Sequence, residues 1–101
     1  MVKKNMKNKR KKDIENIIRM KEIAKIYTIT KQKEKSEKYH KNIIKICDQH
    51  PKNEEILIYK MQSQKQLNKT YKSLETTKKI LKINPNNINA LLNLIGIIHK
   101  R

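Results

Sequence analysis

Apolar residues recur along this chain at helical rather than strand spacing. Ile14, Ile17, Ile18, Ile23, Ile26 and Tyr27 fall near three- and four-residue steps, the period of one helix face. The pattern predicts a first helix from Asp13, which would cap it and place an acid at its positive end. A polar break is expected over Lys31 to Lys38. A second helix is predicted at about 36–49, with Tyr39, Ile43, Ile46 and Cys47 on one face and Pro51 as its stop. A third is predicted at about 53–66, with Leu57, Met61 and Leu67 as core positions. Asn68 and Lys69 then form a short turn. A fourth covers about 70–83, with Tyr71, Leu74, Ile80 and Leu81, and Pro85 stops it. The fifth follows Asn86–Asn87 and runs to the end. One Gly and two Pro leave little turn chemistry for a multi-stranded sheet. The expected fold class is therefore all-α, an antiparallel helix-hairpin array of about five helices.

A repeat runs through the pattern. Pro51 and Pro85 are 34 residues apart, as are Asn53 and Asn87, Ile46 and Ile80, and Lys45 and Lys79. Leu57 falls on Leu91, and one step back it falls on Ile23. A helix pair of this length cannot bury both of its faces alone, so such units stack. The run Ser73-Leu74, Thr77, Ile80-Leu81, Ile83 and Pro85 resembles the second half of a tetratricopeptide repeat and its closing proline. Leu91, Leu94 and Ile98 fit the first-helix core of the next unit. Ile95, Met61, Ile80 and Tyr39 stand where such repeats carry small residues, which predicts wider interhelical spacing. The resemblance implies a solenoid fragment with units at about 13–51, 52–85 and a partial 86–101. It also implies a scaffold that binds protein.

A finer resemblance rests on KNIIKICDQ (41–49), EILIYK (55–60) and LLNLIGIIHKR (91–101). These segments are similar to the first repeats of the auxiliary subunit of N-terminal acetyltransferase A. That likeness implies a non-catalytic, ribosome-associated scaffold, of which this chain would be an N-terminal piece, a split gene product or a diverged relative. The alternatives are a generic tetratricopeptide interaction module with no RNA role, or a truncated reading frame.

The last predicted helix is apolar around nearly its whole circumference: Ile88, Leu91, Leu92, Leu94, Ile95, Ile97 and Ile98. A terminal repeat helix normally keeps a polar outer face. Leu91, Leu92, Leu94, Ile95 and Ile98 are thus candidate interface residues, to be covered by further repeats, a second copy or a partner helix.

Charge adds a second candidate surface. Lys and Arg total 26 against 9 acids, a net charge of +17. Residues 1–12 hold Lys3, Lys4, Lys7, Lys9, Arg10, Lys11 and Lys12 and no acid. Like-charge repulsion without apolar periodicity predicts a disordered arm. It reads as a contact for ribosomal RNA or another polyanion, with a log–log salt slope of about −5 if all seven residues meet single-stranded phosphates. It reads equally as a solvated tail in a Lys-rich composition. Lys9-Arg10-Lys11-Lys12 also has the form of a nuclear-import run.

Little else carries chemistry. His40, Cys47 and His50 would come from one helix with no second ligand pair, a poor tetrahedral site. Cys47 reads as a small core residue and His50 as a helix-end residue. There is no Gly-rich phosphate loop and no recognisable nucleophile arrangement. The four Tyr sit at core spacing rather than as a base-stacking platform. Cys47 is alone, which fits a reducing compartment. No apolar core follows the basic N-terminus, and Ile88–Ile98 is too short to span a bilayer. The expectation is a cytoplasmic non-enzyme without cofactor, metal, small-molecule substrate or membrane association.

Overall fold

The computed structural model describes the backbone of residues 2–99 and the side chains of residues 7–99. Five helices account for nearly all of it: α1 (Val2–Ile29), α2 (Lys33–Cys47), α3 (Glu54–Gln66), α4 (Thr70–Ile83) and α5 (Ile88–His99). Among the described residues there is no strand. Each helix packs mainly on the next, so the fold is an all-α antiparallel hairpin array, 49 × 34 × 17 Å. No described helix is long and apolar enough to cross a membrane.

Local chemistry sets the turns. Lys31 and Asn68 adopt left-handed φ values of 61° and 60° just past the ends of α1 and α3. At each end the next amide reaches back to satisfy a terminal carbonyl: Gln32 N–H donates to Tyr27 O (2.7 Å) and Lys69 N–H to Gln64 O (2.9 Å). These are Schellman closures, which turn the chain within three residues. The starts of α3 and α5 also match. Asn53 Oδ1 accepts from Ile56 N–H (2.9 Å), and Asn87 Oδ1 accepts from Ala90 N–H (3.0 Å). Both caps satisfy an otherwise orphan amide.

The core lies in two clusters on opposite sides of α3. Ile17, Ile43, Cys47 and Ile56 join α1, α2 and α3. Leu57, Met61, Ile80 and Ala90 join α3, α4 and α5. Neighbours Ile56 and Leu57 point into different clusters, so α3 is the central wall. Small side chains are buried between the helices: Ala24, Ser36, Ser73, Thr77 and Ala90.

The structure corrects several expectations. The disordered arm at 1–12 is helical from Val2 onward. Lys, Arg and Met are good helix formers, and a distant anchor described below holds this extension down. Asp13 is consequently mid-helix and caps nothing. The polar break shrinks to Thr30–Gln32, because α2 already begins at Lys33. Tyr71 is 76% exposed, and Ile18 and Ile26 are also exposed, so none of the three is core. Leu67 and Leu74 are half-buried.

The repeat is also uneven. Asn53 and Asn87 are 34 residues apart, but the equivalent turn residues Lys31 and Asn68 are 37 apart. The first hairpin has a longer second helix (15 residues against 14) and a longer exit turn, 48–53 against 84–87. Buried Ser36 and Ile43 on α2 therefore correspond to buried Ser73 and Ile80 on α4. The structural counterpart of Ile80 is Ile43, not Ile46.

Candidate functional site

Helices α1 and α3 flank a cleft of about 550 Å³ floored by α2. Lys21, Lys25 and Glu22 enter from α1. Tyr59, Gln62, Lys65 and Gln66 enter from α3, while Ile17, His40 and Ile43 form the base. Three lysines against one acid give the cleft a positive potential over an apolar floor. Lys21 Nζ sits 5.4 Å from the centroid of the Tyr59 ring, within cation–π range. That contact occupies a face of the Tyr59 ring. Deeper in, His40 Nδ1 and Ser63 Oγ are hydrogen-bonded at 3.0 Å. Burial, with Lys21 adding to it, pushes the His40 pKa down and keeps the ring neutral near pH 7. Gln62 Oε1 is buried and accepts no hydrogen bond. An orphan acceptor of this kind costs free energy until a donor reaches it.

A second polar group lies at the far end of α1. His50 Nε2 donates to Asp13 Oδ2 at 2.8 Å. Lys9 Nζ donates to the same oxygen at 3.1 Å and to Gln49 Oε1 at 2.6 Å. Burial pushes the Asp13 carboxyl up, but the hydrogen bonds and charges of His50 and Lys9 outweigh it and hold its pKa below the usual carboxylate range. This network ties the basic end of α1 to the exit of α2. Of the seven basic residues singled out there, Lys9 is thus engaged within the fold. The side chains of Lys7, Arg10, Lys11 and Lys12 are exposed, and those of Lys3 and Lys4 lie outside the described residues.

The third surface is α5. Leu91 (38%), Leu92 (62%), Ile95 (50%) and Ile98 (58%) are all exposed. Leu94 is half-buried, so it does not share the open face expected for it. Ile88, which was not singled out as an interface residue, is 68% exposed. On the covered side, Asn93 Nδ2 donates to Ser73 Oγ (3.0 Å) and Thr77 Oγ1 (2.9 Å), fastening α5 to α4.

His40, Cys47 and His50 are not brought together. His40 faces Ser63 and His50 faces Asp13. Cys47 is sealed in the core, where burial pushes its thiol up to about 12. Among the described residues, no three His, Cys, Asp or Glu side chains are placed to share a metal ion. The cleft residues escaped sequence reasoning. Lys21 and Lys25 are visible as an i, i+4 pair on α1, but nothing local announces that Lys65 and Gln62 lie opposite them.

The chain matches no protein-family model, no curated protein and no solved structure.

Proposed function

We propose that the chain is a non-catalytic scaffold of the tetratricopeptide type that holds an extended acidic protein segment in the cleft between α1 and α3. The observation that carries this reading is the combination of Lys21, Lys25 and Lys65 around a cleft based on Ile17 and Ile43. An acidic segment offers carboxylates to the lysines. Binding would be salt-sensitive, because these lysines are partly exposed. The test is fluorescence anisotropy with an acidic peptide of alternating Glu and apolar residues. Lys21→Glu with Lys65→Glu should weaken binding about tenfold or more while helicity is kept. Equal affinity in the double variant would rule the cleft out.

A second reading builds on the likeness to the acetyltransferase A auxiliary subunit. In it the chain is a cytoplasmic, ribosome-associated scaffold whose basic end of α1 touches ribosomal RNA. It is favoured by the exposed side chains of Lys7, Arg10, Lys11 and Lys12 on a helix that Lys9, Asp13 and His50 fasten to the hairpin. Helical presentation fixes these charges along one rod, at about 1.5 Å rise per residue. Removing residues 2–12 should abolish salt-dependent binding to ribosomes or structured RNA. Unchanged, salt-insensitive affinity would eliminate this reading.

A further inference from the structure

The array contains its own template for what α5 receives. Asn53 and Asn87 cap α3 and α5 identically, so each α3 position corresponds to the α5 position 34 residues on. On α3, the residues turned to the preceding helix are Ile56, in the cluster with Ile43, and Ser63, bonded to His40. Their α5 counterparts are Ala90 and Ile97. Ala90 is fully buried, in the cluster with Ile80 of α4, and Ile97 is half-buried. The two helices thus use the same face toward the helix before them.

The other face then has a defined meaning. On α3, Leu57, Met61 and Gln64 are 1%, 3% and 5% exposed because α4 covers them. Their counterparts are Leu91, Ile95 and Ile98, at 38%, 50% and 58%. The short closure at Leu67–Lys69 makes α4 antiparallel to α3. It meets α3 with Thr76, which bonds Gln64, and with Ile80, which packs on Leu57 and Met61.

We propose that the Leu91–Ile95–Ile98 seam docks an antiparallel amphipathic helix from a separate, acidic protein, in the position α4 takes on α3. One difference from the template refines the partner. Ile98 replaces Gln64, so the partner's counterpart of Thr76 is apolar and no buried polar pair forms. Charge selects against a second copy. Each copy carries +17, and α5 has no charged residue from Ile88 to Ile98 to offset the repulsion. Acidic flanks on the partner would instead be drawn to a chain of this net charge. The contact continues an interface already built once in this molecule, with the same period.

The experiment uses the full chain and a synthetic peptide of residues 68–84 carrying Thr76→Val, Lys72→Glu, Lys78→Glu, Lys79→Glu and Lys82→Glu. Methyl NMR shifts centred on Leu91, Ile95 and Ile98, with binding weakened about tenfold or more by Ile95→Gln, are the expected result. The seam is exposed, so Ile95→Gln should keep the helicity of the parent. If it does not, Leu91→Gln with Ile98→Gln replaces it. Gly96→Gln, on the opposite side of α5 with open space beyond its Cβ, should bind as the parent does. No binding at about 1 mM peptide, shifts centred on α3 instead, or a dimer in sedimentation that Ile95→Gln abolishes would each overturn the proposal.

Discussion

Asp13 and His50 are 37 residues apart in sequence and joined by a 2.8 Å hydrogen bond. Through Lys9, which shares the same carboxylate oxygen, the pair decides whether the basic end of α1 is part of the fold. Asp13→Asn keeps the shape and removes the charge. It should cost about 1 kcal/mol, the size expected for a charged hydrogen bond that water partly reaches. The loss should be localised: amide hydrogen exchange should quicken over residues 7–13 more than over α3. The pH dependence follows from the depressed Asp13 pKa. The contribution is fully present above the unfolded carboxylate value of about 3.9 and is lost as pH falls through the lower folded value. In the variant, urea midpoints measured down to pH 3 should fall less steeply than in the parent.

His40 gives a second, separable pH effect. Its folded pKa is depressed by burial and by Lys21, so the unfolded chain binds the proton first. Stability should therefore decline as pH drops below the unfolded histidine value of about 6.5. His40→Gln retains polar atoms that can reach Ser63 and removes the titration. Its urea midpoint should be flatter than the parent's between pH 7.5 and 5.5. An identical slope in both proteins would show that His40 is not the group responsible.

Lys31 and Asn68 close the two hairpins in the same left-handed conformation, but they bear it unequally. Asn adopts this region at lower cost than Lys. Lys31→Gly should raise stability by about 0.5–1 kcal/mol, after allowing for the extra freedom glycine gains in the unfolded chain. Asn68→Gly should change little. Thermal melts of the two variants compare the two turns directly.

Asn93→Ala should loosen α5 by about 1–3 kcal/mol, because its side-chain amide serves Ser73 and Thr77 together in a buried site. Both hydroxyls would lose a donor. α5 lies at one end of the described array, so the loss should appear first as faster exchange in α5, with α1 to α3 unaffected.

Helices α3 to α5 were legible in the sequence nearly to the residue. Pro51 and Pro85 stop chains whose restart is written in Asn53 and Asn87, and those caps are local chemistry. The start of α1 was not legible. Local repulsion among lysines argued for disorder, and the opposing anchor comes from His50 and Gln49, far along the chain. The repeat was visible but misphased in its first copy, since Pro51 marks the exit turn and not the buried face. That let Ile46 stand in for Ile43. Of the candidate sites, the α5 seam could be read directly because it needs only helix periodicity. The cleft could not, because Lys65 and Gln62 meet Lys21 and Lys25 only after α2 has brought the two helices side by side.

The sealed position of Cys47 supplies a clock. It is the only thiol in the sequence, it is fully buried at the junction of α1, α2 and α3, and its thiolate is scarce at neutral pH because burial has pushed the thiol up to about 12. A maleimide added to the native protein should react only through the opening of those three helices, and at saturating reagent its rate should level off at their opening rate, without any engineered label. Fraying of α5 or of the basic end of α1 should leave that rate unchanged. Time-resolved alkylation therefore reads the opening of the α1–α2–α3 junction, on an unmodified chain.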